Sequence, residues 1–161
     1  MENFDGGDEE VRGRNGPLGV SEVPDQNPLY DALIAAAQSV GYPHNLDYNG
    51  LDQEGIGKTQ ATIKTGRRMS TAHCYLEPAR QRKNLKVITE ATTQHLVLEG
   101  KRCVGVVYKK GGQLHTAKSQ GEVILSAGAV SSPQILELSG IGRPELLQKY
   151  GIGVKHELPA V

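Results

Sequence analysis

The clearest hydrophobic pattern in the chain is helical and lies between residues 27 and 41. Apolar side chains recur there at spacings of three and four, on one side of a helix: Leu29, Leu33, Ile34, Ala37 and Val40. Asn27-Pro28 supplies a capping side chain followed by a proline at the first helical position, and Gly41 is a typical helix end. The pattern therefore predicts an amphipathic helix from Asn27 to Gly41.

The segments around this helix are less regular. Residues 1–26 carry clustered charges and glycines and predict an extended arm or surface loop, and residues 42–57 predict a polar loop. Residues 60–65 alternate well enough to predict a strand before a turn at the next glycine. A helix is predicted over residues 70–76, capped by its serine and ended by Pro78.

From Asn84 onward, short apolar runs separated by glycine-containing turns predict β structure. Four such runs are Leu85–Thr89, Gln94–Leu98, Cys103–Tyr108 and Leu114–Ala117. A fifth run, Val123 to Leu125, contains no polar position, which is typical of a strand buried on both faces of a parallel sheet.

This fifth strand leads into the most informative stretch, residues 121–142. Small residues follow it from Ser126 to Ala129 and allow a ligand to approach the backbone. Ser132-Pro133 predicts a helix start, whose free N–H groups attract phosphate or another electron-rich group. The helix is predicted to end at residues 139–142, before a short helix over residues 144–150 that Gly151 ends. The arrangement indicates a nucleotide-binding crossover, with an ordinary ligand-free strand–helix unit as the alternative.

The amino-acid composition bears on which classes of partner the chain binds. The 161 residues contain 18 basic and 18 acidic side chains, so the net charge is zero and does not favour nucleic acid or a membrane surface. Met1 begins a polar segment, and no stretch approaches the roughly 20 apolar residues that span a bilayer. We therefore predict a cytoplasmic protein of about one domain in length, with no nucleic-acid partner and no membrane signal.

Metal and triphosphate motifs are weak. Cys74 and Cys103 do not form a metal-binding pair, and neighbouring His73 and Cys74 would diverge on a helix. Residues 57–59, Gly-Lys-Thr, resemble the end of a phosphate-binding loop, but the required glycine five positions earlier is Asp52. A predicted strand also follows where that loop needs a helix. We predict no metal site and no nucleotide triphosphatase.

The stretch from Gly128 to Gly142 resembles a known signature. Its matching positions are Gly128-Ala129, Ser132-Pro133, Ile135-Leu136 and Ser139-Gly140-Ile141-Gly142. In spacing and residue type these resemble the second signature of the glucose-methanol-choline oxidoreductases, which are flavoprotein alcohol oxidases and dehydrogenases. Shorter segments that resemble the same family occur in order along most of the chain. They look closest to the choline dehydrogenase-like and alcohol dehydrogenase branch. These segments include residues 16–18, 41–43, 47–50, 66–70, 75–80, 84–85 and 105–108.

The resemblance implies a mixed α/β fold, made of part of an FAD-binding Rossmann-like domain and part of a substrate-binding domain. Residues 1–83 would belong to the substrate-binding or cap region, and residues 84–161 to the FAD-binding domain. It implies FAD as cofactor, with the backbone of Thr93 beside the adenine and with Ala127 and Gly128 beside the flavin. The implied substrate is a small-molecule alcohol, choline-like or another primary alcohol.

Two parts of the family's active site are not found in this sequence. No G-x-G-x-x-G motif occurs, and the family's catalytic histidine pair would lie beyond the position of Val161. His156 is interpreted as structural, so no catalytic residue is assigned. The chain is expected to be the middle of a longer enzyme and inactive alone; the alternative is a non-catalytic fold fragment or degraded gene product without a ligand. The sequence does not specify the alcohol, the electron acceptor or the oligomeric state.

Overall fold

The computed structural model of the protein describes residues 1–24 and 27–161. Two compact units are present, Met1–Lys86 and Val87–Val161. Both contain helices and strands, which confirms the predicted mixed α/β class.

Two strands of the first unit lie in the segment that was predicted to be irregular. β1 (Glu2–Phe4) pairs in parallel with β2 (Leu18–Glu22), and β2 pairs antiparallel with β3 (Gln60–Ala61). Phe4 is only 3% exposed, so burial holds β1 although it is too short to show a periodic pattern. The prediction of an extended arm or surface loop was therefore wrong for residues 2–4 and 18–22, whereas residues 5–17 contain no helix or strand; Asp25 and Gln26 lie outside the described residues.

The strand predicted over residues 60–65 forms two short pieces. The chain leaves β3 at Thr62 and continues as β4 (Ile63–Lys64), which pairs antiparallel with β5 (Arg67–Arg68). Thr65 and Gly66 make the connecting turn with φ angles of 50° and 72°, the left-handed conformation of a two-residue hairpin. The turn at Gly66 is confirmed, whereas the continuous strand is not.

Helix α1 (Pro28–Ser39) confirms the clearest prediction. Asn27 caps it, since its Oδ1 accepts the Leu29 N–H at 3.0 Å, and Gly41 ends it with a φ of 97°. Within the apolar stripe Ile34 is buried, whereas three members are more than half exposed: Leu29, Leu33 and Val40.

A second helical segment follows β5. Ser70 caps it as predicted, because its Oγ accepts the His73 N–H at 3.2 Å. The segment is a π-helical turn, Ala72–Leu76, that continues into α2 (Glu77–Ala79). Pro78 lies in the last turn of this segment, which ends one residue later at Ala79, close to the predicted end.

The second unit contains a three-stranded antiparallel meander in the order β6-β7-β8. The strands are β6 (Thr92–Glu99), β7 (Arg102–Lys110) and β8 (Gln113–Lys118). Three of the predicted strands are thus confirmed and are longer than expected. Register shifts interrupt the β6–β7 pairing at two places, whereas the six β7–β8 pairs are continuous.

Two predicted strands do not form. Residues 85–89 and 123–125 form no helix or strand and pair with no strand among the described residues. A strand exists only where its N–H and C=O groups find partners on a neighbour, so apolar sequence alone does not create one. Ile124 is 82% exposed, in contrast to the two-sided burial that its pattern predicted.

The remaining elements follow this unpaired run. Helix α3 (Gly128–Leu138) leads to β9 (Ile141–Gly142), and α4 (Pro144–Lys149) confirms the predicted short helix. Gly151, with a φ of 70°, ends α4 as expected. β10 (His156–Glu157) pairs in parallel with β9.

Candidate functional site

The turn before α3 differs from its prediction. The helix begins at Gly128, four residues before the expected cap at Ser132. Ser132 Oγ accepts the Ala127 N–H at 3.0 Å, so this hydroxyl bonds back to the turn, and Pro133 lies inside the helix. Gly128 has a φ of 90° and turns the chain into the helix at this residue. Ser132 follows four residues later and therefore lies within the second helical turn.

This turn is open toward solvent. Ser126 to Ala129 are all exposed, and a Cβ placed on Gly128 would meet no atom within 4 Å. The N–H groups of the first turn of α3 have no intrahelical acceptor, and no side chain caps them. Space, small side chains and a row of free donors fit an electron-rich group such as a flavin or its phosphates.

Thr93, the third predicted site residue, lies near the start of β6. It is half-buried and pairs with Tyr108, and a bulge separates it from His95. Because β6 is an edge strand of the meander, one side of its backbone is not used by β7. That free side fits a backbone contact with a ligand. In the described part of the chain, no hydrogen bond joins Thr93 to Ala127 or Gly128.

Ser139 connects the elements that carry these residues. It is 2% exposed, and its Oγ accepts the Leu96 N–H at 2.8 Å and donates to Ile135 O at 2.5 Å. Leu96 lies three residues after Thr93 on β6, and Gly128 begins the helix that Ser139 ends. The sequence indicated only a helix end at Ser139, so this bridge was missed.

A buried polar cluster in the first unit was also missed. Its centre is the guanidinium of Arg12, which is 5% exposed. Arg12 Nε and Nη2 donate to the two Glu2 carboxylate oxygens at 2.8 and 3.1 Å, and Nη1 donates to Asp47 and to Gln60. The ring of Phe4 lies 4.3 Å from the guanidinium carbon. One cation therefore joins β1, β3 and the loop after α1.

Gln60 completes this cluster. Its Nε2 donates to Asp47 Oδ1 at 2.8 Å, its Oε1 accepts from Asn49 Nδ2 at 3.1 Å, and its N–H donates to Tyr48 Oη at 3.1 Å. Three of these partners belong to residues 47–50, which the resemblance had marked without showing what they contact. No local pattern could reveal that Arg12 meets Asp47, because 35 positions separate them.

Arg12 also changes the acidity of Glu2. Its hydrogen bonds hold the pKa of Glu2 below the ordinary value of 4.5, burial opposes this by raising the pKa, and the Gly13 N–H adds to the lowering. The charged groups of the cluster bond to one another, which indicates that it holds the fold of the first unit together; Asp47 Oδ2 is a buried oxygen of the cluster without a hydrogen-bond partner among the described residues.

The residues of the weaker motifs lie in ordinary structural surroundings. Lys58 Nζ lies 3.6 Å from Asp31 Oδ1, and β3 follows where a phosphate-binding loop needs a helix. His156 is exposed on β10. Among the described residues, no group of three or more His, Cys, Asp or Glu side chains could hold a metal ion. Within residues 1–24 and 27–161, no helix is both long and apolar enough to cross a membrane.

A family model described as GMC oxidoreductase matches residues 3–158. The chain belongs to the GMC oxidoreductases. Human choline dehydrogenase, mitochondrial, is 48% identical over 150 residues, which are 93% of this chain and 25% of that protein. The oxygen-dependent choline dehydrogenase of Pectobacterium atrosepticum is 45% identical over an alignment of 162 positions, which covers 99% of this chain and 29% of that protein. The chain thus spans less than a third of the length of these relatives.

Solved structures agree with this family. Pyridoxine 4-oxidase from Mesorbium loti has a TM-score of 0.85 and 30% identity, over 99% of this chain and 31% of that one. An FAD-dependent oxidoreductase from Chaetomium thermophilum has a TM-score of 0.84 and 26% identity, over 99% of this chain and 30% of that one. The predicted resemblance, the mixed fold and FAD as cofactor are confirmed for the GMC oxidoreductase domain that this chain matches.

Proposed function

We propose that this GMC oxidoreductase chain contributes part of the flavin site of an enzyme that oxidises a primary alcohol to an aldehyde. The single observation that carries the proposal is the exposed turn at Ala127 and Gly128, which heads α3 and begins the complete family signature. When bound, FAD would supply the acceptor for the hydride of the alcohol.

Three residues would hold the cofactor. Ala127 and Gly128 offer a backbone without bulky side chains, and the first-turn N–H groups of α3 would donate to the flavin or its phosphates. Thr93 would contact the adenine through its backbone on the free side of β6. Residues 84–161 would accordingly belong to the FAD-binding domain, and residues 1–83 to the substrate-binding or cap region.

The proposed substrate is a choline-like alcohol. The relatives named as choline dehydrogenases share 43% to 48% identity with nearly the whole chain. The 161 residues alone would be inactive, because they contain no G-x-G-x-x-G motif and no histidine to which we assign proton removal.

The test is made on the longest protein encoded by the reading frame that contains these residues. We expect the purified protein to carry flavin absorbance, and we expect choline to bleach it under anaerobic conditions. A folded protein without flavin, or a flavin that neither choline nor other primary alcohols reduce, would contradict the proposal. Stop codons on both sides of the 161 residues would favour a fold fragment that binds nothing.

A further inference from the structure

We propose that Ser139 is a positioning residue for FAD, whose hydroxyl fixes the two ends of the cofactor site relative to each other. The inference rests on the proposed flavin site, in which Thr93 contacts the adenine and the turn at Gly128 contacts the flavin. Ser139 is 2% exposed, so it acts through the two elements that it joins and not by contact with FAD.

The bridge made by Ser139 is internal to the second unit. Its Oγ accepts the Leu96 N–H at 2.8 Å and donates to Ile135 O at 2.5 Å. All three residues are buried by the chain itself, at 2%, 6% and 7% exposure. The bridge therefore does not depend on which surfaces the rest of a longer enzyme covers.

The chain just after Ser139 is held from a second direction. Gly140 O accepts the Lys155 N–H at 2.8 Å and the His156 N–H at 3.1 Å. A Cβ placed on Gly140 would lie 2.4 Å from Gly153 O, so these segments approach too closely for any side chain at that position. The end of α3 is thus a fixed point, and Ser139 links that point to β6.

The lengths of the two elements make the link sensitive. Helix α3 has 11 residues between its head at Gly128 and its end, which is about 16 Å. Thr93 lies three residues before Leu96, about 10 Å along a strand. A rotation of about 10° at the bridge would move the head of α3 by about 3 Å, several times the ~0.5 Å tolerance of a preorganised binding site.

Strand β6 needs this second attachment. Its pairing with β7 shifts register between Thr93 and His95 and again between Val97 and Leu98, on both sides of Leu96. Such irregularities bend a strand and interrupt its ladder. Pairing with β7 therefore holds this stretch less firmly than a continuous ladder would, and the bond from the Leu96 N–H to the serine hydroxyl compensates.

The chemistry of FAD turns this geometry into a measurable difference. FAD gains affinity by binding through both ends at once, which requires two contact points at a fixed separation. ADP carries only the adenine end and does not need that separation. Loss of the bridge should therefore weaken FAD more than ADP, whereas a residue that served folding alone would weaken both to the same extent or neither.

The test uses the longest protein encoded by the reading frame, stripped of flavin and titrated with FAD alone and with ADP as a competitor. We expect Ser139→Ala to raise the Kd of FAD at least about tenfold and that of ADP less than about twofold. Ser139→Cys keeps the side-chain volume but offers only a weak donor and acceptor. It should give the same pattern and serves as the second variant if Ser139→Ala does not fold.

The matched control is Leu147→Ala. Leu147 is 1% exposed in α4, so its truncation destabilises the second unit, but this apolar side chain takes no part in the bridge. Both Kd values should change less than about twofold in this variant.

An unchanged Kd of FAD in the Ser139 variants would overturn the inference and leave the proposed flavin site standing. Equal rises for FAD and ADP, or an equal rise for FAD in Leu147→Ala, would do the same. A parent protein that binds no FAD would overturn both the inference and the proposed function.

Discussion

Ser139 Oγ accepts the backbone N–H of Leu96 at 2.8 Å, across 43 positions of sequence. Both residues are buried, at 2% and 6% exposure, and the same hydroxyl donates to Ile135 O. A buried N–H on the edge of β6 would otherwise lack an acceptor. This one side chain therefore satisfies the strand edge and fixes α3 against it.

Ser139→Ala should lower the free energy of unfolding of the chain by about 1–3 kcal/mol, because it leaves the Leu96 N–H buried without a partner. This exceeds the cost expected from a local helix-end hydrogen bond. Urea unfolding followed by circular dichroism measures the loss. Ser132→Ala is the control: its Oγ serves the exposed Ala127 N–H, so we expect about 0–1 kcal/mol. Equal losses would contradict the bridging interpretation.

Gly128→Val should remove flavin from the longer enzyme. The branched side chain would occupy the open space at the head of α3, and the positive φ of 90° would add backbone strain of about 1–3 kcal/mol. Gly112→Val is matched, because Gly112 has a φ of 82° and equally open surroundings on the β7–β8 turn. The measurement is the flavin-to-protein absorbance ratio of folded protein. Similar ratios in both variants would contradict flavin contact at Gly128.

The chain should lose stability in acid through Glu2. Its pKa is lower in the folded chain than in the unfolded chain, because Arg12 donates hydrogen bonds to its carboxylate. The unfolded chain therefore binds more protons, and the stability that Glu2 contributes is present above about pH 4.5 and is lost as the pH falls through the folded pKa.

Glu2→Gln should consequently flatten the decline of unfolding free energy below about pH 4.5, as measured by urea unfolding at a series of pH values. Glu9→Gln, at an exposed position, is the matched control and should leave the slope unchanged. An identical slope in wild type and Glu2→Gln would show that the Arg12 pair does not contribute to acid sensitivity.

The purified 161-residue chain with added FAD should not oxidise alcohols. Its sequence holds no dinucleotide glycine motif and no assigned histidine base. The assay is reduction of a dye acceptor with choline and simple aryl alcohols as substrates. Turnover above a heat-denatured control would refute the prediction.

The same chain should be marginally stable and prone to aggregation when heated. The apolar run Val123 to Leu125 has no strand partner among the described residues, and Ile124 is 82% exposed. Differential scanning calorimetry with light scattering measures both properties. A sharp, reversible transition of a monomer at the temperature of an ordinary intact domain would argue against this expectation.

Local sequence signals predicted the elements that depend on near neighbours. Asn27 and Gly41 bound α1, Gly66 makes its turn, and Gly151 ends α4, because caps and left-handed turns act within a few residues. Short apolar runs separated by glycine-containing turns likewise predicted the three meander strands. The family signature at residues 128–142 pointed to the GMC oxidoreductases for the same reason, since its spacing is local.

Contacts between distant segments were decided only by the tertiary structure. Nothing near Arg12 in sequence indicates that it joins Glu2 to Asp47, and nothing near Ser139 indicates that it meets Leu96. The apolar runs at residues 85–89 and 123–125 show the converse: their composition favours strands, but a strand needs a neighbour, and no described residue pairs with them. Hydrogen bonds and burial between segments that are far apart in sequence depend on which segments meet in the folded chain. No local pattern of residues specifies which segments meet.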